Sequence, residues 1–169
     1  MKPVALFIDV DNLSIPLKEK KKKIDWDIIL NIIKTKIEKD ARLYYARAYL
    51  DISFYEKMVG DFCRPLYEKG IEAIYCPVFK YTDQDTLKTK GKSLSDPMMI
   101  CDIIGTIYEM DYIKNFVIVT SDKDFVPVVR HLVKKNKEVI VIGIKENGFY
   151  LSQECIKLGI PFVDYSSKF

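Results

Sequence analysis

The sequence predicts an α/β fold: a three-layer, doubly wound (Rossmann-like), mainly parallel sheet of five or six strands flanked by helices. Short runs rich in Val, Ile, Leu and Phe alternate with longer amphipathic stretches along the chain, the pattern of strands joined by helical crossovers. Val4–Ile8 is apolar at every position, as a central strand covered on both faces requires. No linker or internal repeat breaks the alternation, so one domain over residues 1–169 is expected. A chain of that length buries about 70% of its unfolded surface and needs no disulfide or structural metal.

After that first strand, Ile28, Ile29, Ile32, Ile33 and Ile37 recur at helical spacing within Trp26–Lys39, with Asp25 placed to cap the helix. Leu43–Leu50 is the second strand, and Ser53–Lys69 a helix stopped by Gly70. Ile71–Cys76 is the third strand. Phe79–Ser95 carries Thr, Asp, Gln, Lys and Gly without an apolar period and reads as a long loop, a class that tends to be functional. The next helix starts at Asp96-Pro97, read as an N-cap and a first-position proline, with Met98, Met99, Ile103 and Ile107 on its apolar side. Phe116–Thr120 is the fourth strand and Val126–Lys135 a helix with a basic end. Val139–Ile142, Tyr150–Leu158 before Gly159, and Ile160–Val163 supply the fifth strand, the last helix and an edge strand.

Composition excludes several classes. The net charge of +3 is the small difference between 27 basic and 24 acidic residues, so the sum alone does not point to nucleic acid. Four cysteines without a CxxC pair and the single His131 argue against a zinc site. Isolated thiols and the lack of a signal-like or membrane-spanning apolar stretch point to the cytoplasm, with no membrane partner. His131, inside a helix, is expected to be structural, and the Lys18–Lys23 run is as well explained by a solvated surface as by RNA.

The carboxylates fall at informative places. Asp9 and Asp11 lie just beyond the first strand, and Asp122 and Asp124 just beyond the fourth. Open parallel sheets bind ligands beyond the carboxyl ends of the strands, where strand order reverses. If those two strands are neighbours there, the acids converge in one crevice, and Asp96 joins them from a helix start. Each acid also has a local explanation: Asp96 and Asp124 as helix caps, Asp11 or Asn12 as turn residues. Four such coincidences at one rim favour a site. Packed anions need an offsetting charge, which a hard cation such as Mg²⁺ or Mn²⁺ supplies through oxygen ligands. Such an ion polarises phosphate and activates water for phosphodiester hydrolysis. Asp102, six residues after Asp96 on the same helix, points about 120° away from it, toward a supporting position or solvent.

Three stretches carry a family resemblance. Phe7-Ile8-Asp9-Val10-Asp11-Asn12-Leu13 resembles the opening motif of NYN domains, the LabA-like branch of the PIN-like nuclease superfamily. Lys92 through Asp102 is similar to that family's helix motif, with a lysine, an aspartate and a second aspartate six later. Val117 through Pro127 is similar to its strand-and-acid motif, and Lys137–Gly143 to the strand and glycine that close the domain. The resemblance implies a metal-dependent ribonuclease-like site of Asp9, Asp96, Asp122 and Asp124, with Asn12 and Ser121 adjoining and Asp102 part of the pattern. On this reading Asp9, Asp96 and Asp122 are the main ligands of Mg²⁺ or Mn²⁺, and Asp124 binds metal or orients water. Lys80, Lys88, Lys90 and Lys92 attract the backbone of an RNA, expected to be single-stranded, and Tyr81 stacks on a base. A homodimer is compatible with this arrangement. The chain departs from the family pattern at Pro97 and at Lys123, whose charge would partly neutralise the acids beside it.

Two other readings fit parts of the sequence. Asp9-Val10-Asp11 resembles the nucleophile and acid/base pair of haloacid-dehalogenase-type phosphatases, although Asn12 stands where a threonine or valine is expected. A non-catalytic RNA-binding relative would keep the fold and bind without cutting.

Overall fold

The computed structural model of the protein describes residues 1–51, 59–84 and 89–168, with backbone alone for residues 59, 60 and 90. Six parallel strands form one sheet in the order β3-β2-β1-β6-β7-β8. They are β1 (Lys2–Asp9), β2 (Ala41–Asp51), β3 (Glu72–Cys76), β6 (Asn115–Val119), β7 (Glu138–Gly143) and β8 (Phe162–Asp164). The chain winds outward from β1 through β2 to β3, returns to β6 beside β1, and winds the other way. The order therefore reverses between β1 and β6, as the doubly wound expectation requires.

Strand alternation explains the three layers. Val4, Leu6 and Ile8 of β1 enter one apolar cluster with α1 (Val10–Glu19), α2 (Trp26–Lys36) and α3 (Val59–Glu68). Ala5 and Phe7 enter the opposite cluster with α4 (Ser95–Glu109), α5 (Val126–Lys134) and α6 (Phe149–Leu158). Both faces of β1 are covered, which accounts for its unbroken apolar run. Tyr165, in a terminal 3₁₀ turn, is fully buried; its hydroxyl accepts from the Asp25 N–H (2.8 Å) and donates to the Asp25 carbonyl (3.0 Å), tying the chain end to the start of α2.

Several expectations hold with small shifts. Asp25 caps α2 through its Oδ1, which accepts from the Asp27 N–H at 2.9 Å. Gly70 (φ 72°) and Gly159 (φ 68°) follow α3 and α6 in the left-handed conformation that glycine adopts without strain. The expected Ser53–Lys69 helix is described from Val59, and residues 53–58 of that stretch lie outside the described residues.

Three expectations are corrected. A helix, α1, begins directly after β1 where turn residues were expected: Asp9 is its N-cap and Asp11 sits in its first turn. The stretch read as a loop contains an antiparallel hairpin, β4 (Val78–Thr82) with β5 (Thr89–Ser93). It lies outside the main sheet and is largely exposed, so neither strand needs an apolar face. The helix carrying Asp96 starts two residues earlier than expected: Leu94 is its N-cap without a side-chain bond, and Asp96 and Pro97 lie inside the first turn. Proline is tolerated there because first-turn N–H groups have no helical acceptor.

Candidate active site

The carboxyl ends of β1 and β6 meet across the switch point, with Ile8 in register with Val119. A cleft of about 380 Å³ opens there, and Asp9, Asp96 and Asp122 all line it. They come from three separate segments: the end of β1, the first turn of α4 and the turn after β6. Asp11 and Asp51 line it as well, and Asp11 Oδ2 accepts from the Asp51 N–H at 3.0 Å, joining the ends of β1 and β2.

Asp9 is nearly buried and held from two sides. Its Oδ1 accepts from the Asn12 N–H at 3.2 Å and its Oδ2 from the Thr120 hydroxyl at 3.1 Å. Thr120 Oγ1 in turn accepts from the Asp122 N–H at 3.1 Å, so one hydroxyl spaces two of the acids. Asn12 Oδ1 accepts from the Ser121 N–H at 2.7 Å, and Ser121 Oγ from the Ile144 N–H at 2.8 Å. These two residues thus bind α1, the β6 end and the β7 end together, and Asn12 also lines the cleft. Gly143 is required at that junction, because a Cβ there would lie 2.5 Å from the Thr120 carbonyl oxygen.

The electrostatics are those of crowded anions. The Asp9 carboxyl is pushed up to about 7, first by burial and then by the Asp96 carboxylate, with Asp11 adding to it and the two hydrogen bonds opposing. Asp96 is also raised, by burial and then by Asp122 and Asp124. Burial accounts for most of this, and the neighbouring carboxylates add to it, so a cation entering the cleft would favour the ionised forms.

Asp124 is exposed and does not line the cleft, though its charge reaches Asp96; its N–H donates to Asp122 Oδ1 at 2.8 Å. It is not the cap of α5, whose N-cap is Phe125. Asp102 lies away from the cleft: its Oδ2 pairs with Arg47 Nη1 at 2.8 Å and accepts from the Tyr49 hydroxyl at 2.5 Å. It ties α4 to β2. Lys123, between the last two acids, is exposed and is not among the lining residues.

The hairpin forms one wall of the cleft through Gly91 and Ser93. Strand alternation puts Lys80, opposite Gly91, on that same side, and Phe79, Tyr81 and Lys92 on the other. Lys80, Tyr81 and Lys92 are exposed. Lys90 pairs with Tyr81 in the register, and Lys88 lies outside the described residues.

Sequence reasoning did not single out Asp51 or Thr120. Asp51 ends a parallel strand on the same rim as Asp9, so the rule that found Asp9 would have found it. Thr120 was read only as the last residue of a strand, and no spacing signal marks its hydroxyl.

Among the described residues, no group of three or more His, Cys, Asp and Glu side chains is drawn close enough to hold a metal ion as it stands. The donors lining the cleft are carboxylates, amides and hydroxyls, without sulfur or imidazole. That set fits a hard cation of the Mg²⁺ type, which keeps several waters and takes one or two carboxylates together with substrate phosphate. It does not fit a closed site of the zinc type. Among the described residues no helix is long and apolar enough to cross a membrane.

No curated protein matches the sequence. Among solved structures, the fold is similar to that of VPA0982, a protein of unknown function from Vibrio parahaemolyticus RIMD 2210633. The TM-score is 0.74 at 22% identity, covering 99% of this chain and 95% of that one. The family model of the NYN domain matches residues 3–157. The chain belongs to the NYN domain family, within the PIN-like nuclease superfamily.

Proposed function

We propose that this protein is a metal-dependent ribonuclease of the LabA-like branch, hydrolysing phosphodiester bonds of single-stranded RNA in the cytoplasm. The observation that supports this most is the convergence of Asp9, Asp96 and Asp122 on one cleft, with Asp9 held protonated toward neutral pH. Such a group has excess negative charge for a cation to offset. Family membership adds weight, since PIN-like nucleases generally use divalent metals.

Asp9, Asp96 and Asp122 would hold Mg²⁺ or Mn²⁺. When bound, the ion supplies phosphate polarisation and a more acidic water. The protein's own residues then have separate tasks. Asp9 would be held in its ionised form by a bound cation, and its two oxygens are fixed by the Asn12 N–H and the Thr120 hydroxyl. Asp122 is held at a set spacing from Asp9 through Thr120. Asp124, exposed beside Asp122 and outside the cleft lining, would contribute negative charge and orient water. Lys80 on the cleft side of the hairpin, with Lys92 and Tyr81 on its other side, attracts and steadies the RNA backbone. Asp102 has a supporting task outside the cleft, tying α4 to β2 and so adding to the stability of the fold.

Cleavage of labelled single-stranded RNA with and without Mn²⁺, in wild type and Asp122→Asn, tests the proposal. Asparagine keeps the Oδ1 that accepts from the Asp124 N–H, so the turn persists while the charge is lost. Metal-dependent cutting that the substitution abolishes is the expected result. Binding without cutting would favour an RNA-binding module, and hydrolysis of small phosphate esters alone would favour the phosphatase chemistry of Asp9 and Asp11.

A further inference from the structure

The cleft is chemically divided. Its acids gather at the ends of β1, β2 and β6 and the starts of α1 (Asp11) and α4, while beyond Asp11 the flank is neutral: Asn12, Ile15 and Pro16 of α1 and Asn147 from the β7–α6 loop. No Lys, Arg or His lines it among the described residues. Within the lining itself a phosphate is therefore attracted only where a cation sits among the acids, and the neutral flank suits an uncharged part of a ligand.

Two features make that flank a receptor rather than a bare surface. Ile15 is 48% exposed although Leu13, Pro16 and Leu17 around it are buried, so an apolar side chain is left uncovered against the cleft. Asn147 is exposed, yet its loop is fixed: its N–H donates to the Ile144 carbonyl at 3.0 Å, and the Ile144 N–H is held by Ser121. An uncovered apolar contact and an amide that both donates and accepts suit a nucleoside, through its base face and its polar base edge.

We propose that the α1–Asn147 flank is a nucleoside subsite, in which Ile15 packs against the base next to the scissile phosphate while the Asn147 side-chain amide bonds its polar edge. The assignment rests on the ribonuclease reading for its place in a reaction, but its ligand is neutral and can be tested without metal or cleavage.

The test is a methyl and side-chain amide NMR titration of the full chain with adenosine and with uridine, neither carrying phosphate, and no divalent ion present. The subsite predicts saturable shifts at the Ile15 δ1-methyl and the Asn147 side-chain amide, with the exposed Ile156 on α6 unmoved. Ile15→Ala and Asn147→Ala should each weaken the titration by about five- to tenfold. In cleavage assays they should raise KM by a similar factor with kcat little changed. Shifts absent with both nucleosides, or equal at Ile156, overturn the subsite whatever the cleavage result. Saturable shifts in a protein that cuts no RNA support the subsite and refute the ribonuclease reading instead.

Discussion

The raised Asp9 carboxyl makes stability depend on pH in a direction opposite to that of an ordinary paired carboxylate. Without metal, the folded chain keeps a proton on Asp9 up to about 7, whereas the ordinary value is 3.8. Between those limits the native state binds more protons than the unfolded one, so stability falls as pH rises. Over about three pH units, at about 1.4 kcal/mol each, the loss is about 4 kcal/mol. Below the ordinary value Asp9 contributes nothing to the slope, and above about 7 its contribution is constant. Asp9→Asn removes the titration while Oδ1 still accepts from Asn12 and the new amide can donate to Thr120 Oγ1, so the variant serves as its own reference. Urea unfolding followed by the fluorescence of Trp26, the single tryptophan and a buried one, measures both proteins at pH 5, 6, 7 and 8. The wild type should lose stability relative to Asp9→Asn between pH 5 and 7, by a midpoint difference on the order of 1 M urea, and then run level. Saturating Mg²⁺ should flatten the wild-type slope, because a bound cation favours the ionised carboxylate. Curves that stay parallel from pH 5 to 8 would refute the reasoning about crowded charge at Asp9.

Two further perturbations separate support from chemistry. Asp102→Ala strips one of two carboxylate partners from Arg47, which keeps Glu72, and the acceptor from the hydroxyl of buried Tyr49 and should cost about 1–3 kcal/mol in urea unfolding, with divalent-ion affinity unchanged; a weakened ion affinity would return Asp102 to the cleft. Gly143→Ala puts a methyl 2.5 Å from the Thr120 carbonyl oxygen, and overpacking of that kind costs about 1–3 kcal/mol. Because Thr120 supports Asp9, cleavage should fall along with Tm, and an unaltered Tm would show that the β6–β7 junction yields more easily than its packing suggests.

The parallel sheet and its switch point were legible because buried strands must be apolar on both faces, and the acids were legible because they interrupt that apolarity at one rim. What escaped had physical reasons. In α1, Asp11, Asn12 and Pro16 carry turn and breaker signals, yet the helix persists because Asp9 caps it and Val10, Leu13 and Leu17 bury beneath it. The hairpin from Val78 to Ser93 has almost no buried face, so it leaves no hydrophobic period to read. Spacing places Asp102 one and two-thirds turns beyond Asp96, which excludes a shared direction; its pairing with Arg47, fifty-five residues earlier, is a tertiary fact that no local pattern encodes. Asp51, one residue past the expected end of the second strand, was within reach of the rule that found Asp9, whereas no spacing signal marks the Thr120 hydroxyl.

Titration of the metal-free protein with Mn²⁺, monitored by the loss of the free-ion EPR signal, addresses the shared-cation claim without relying on turnover. One ion per chain, weakened at least about tenfold by each of Asp9→Asn, Asp96→Asn and Asp122→Asn and untouched by Asp102→Asn, is the predicted outcome. Wild-type binding retained in all three cleft variants, or no binding by the wild type, would contradict it.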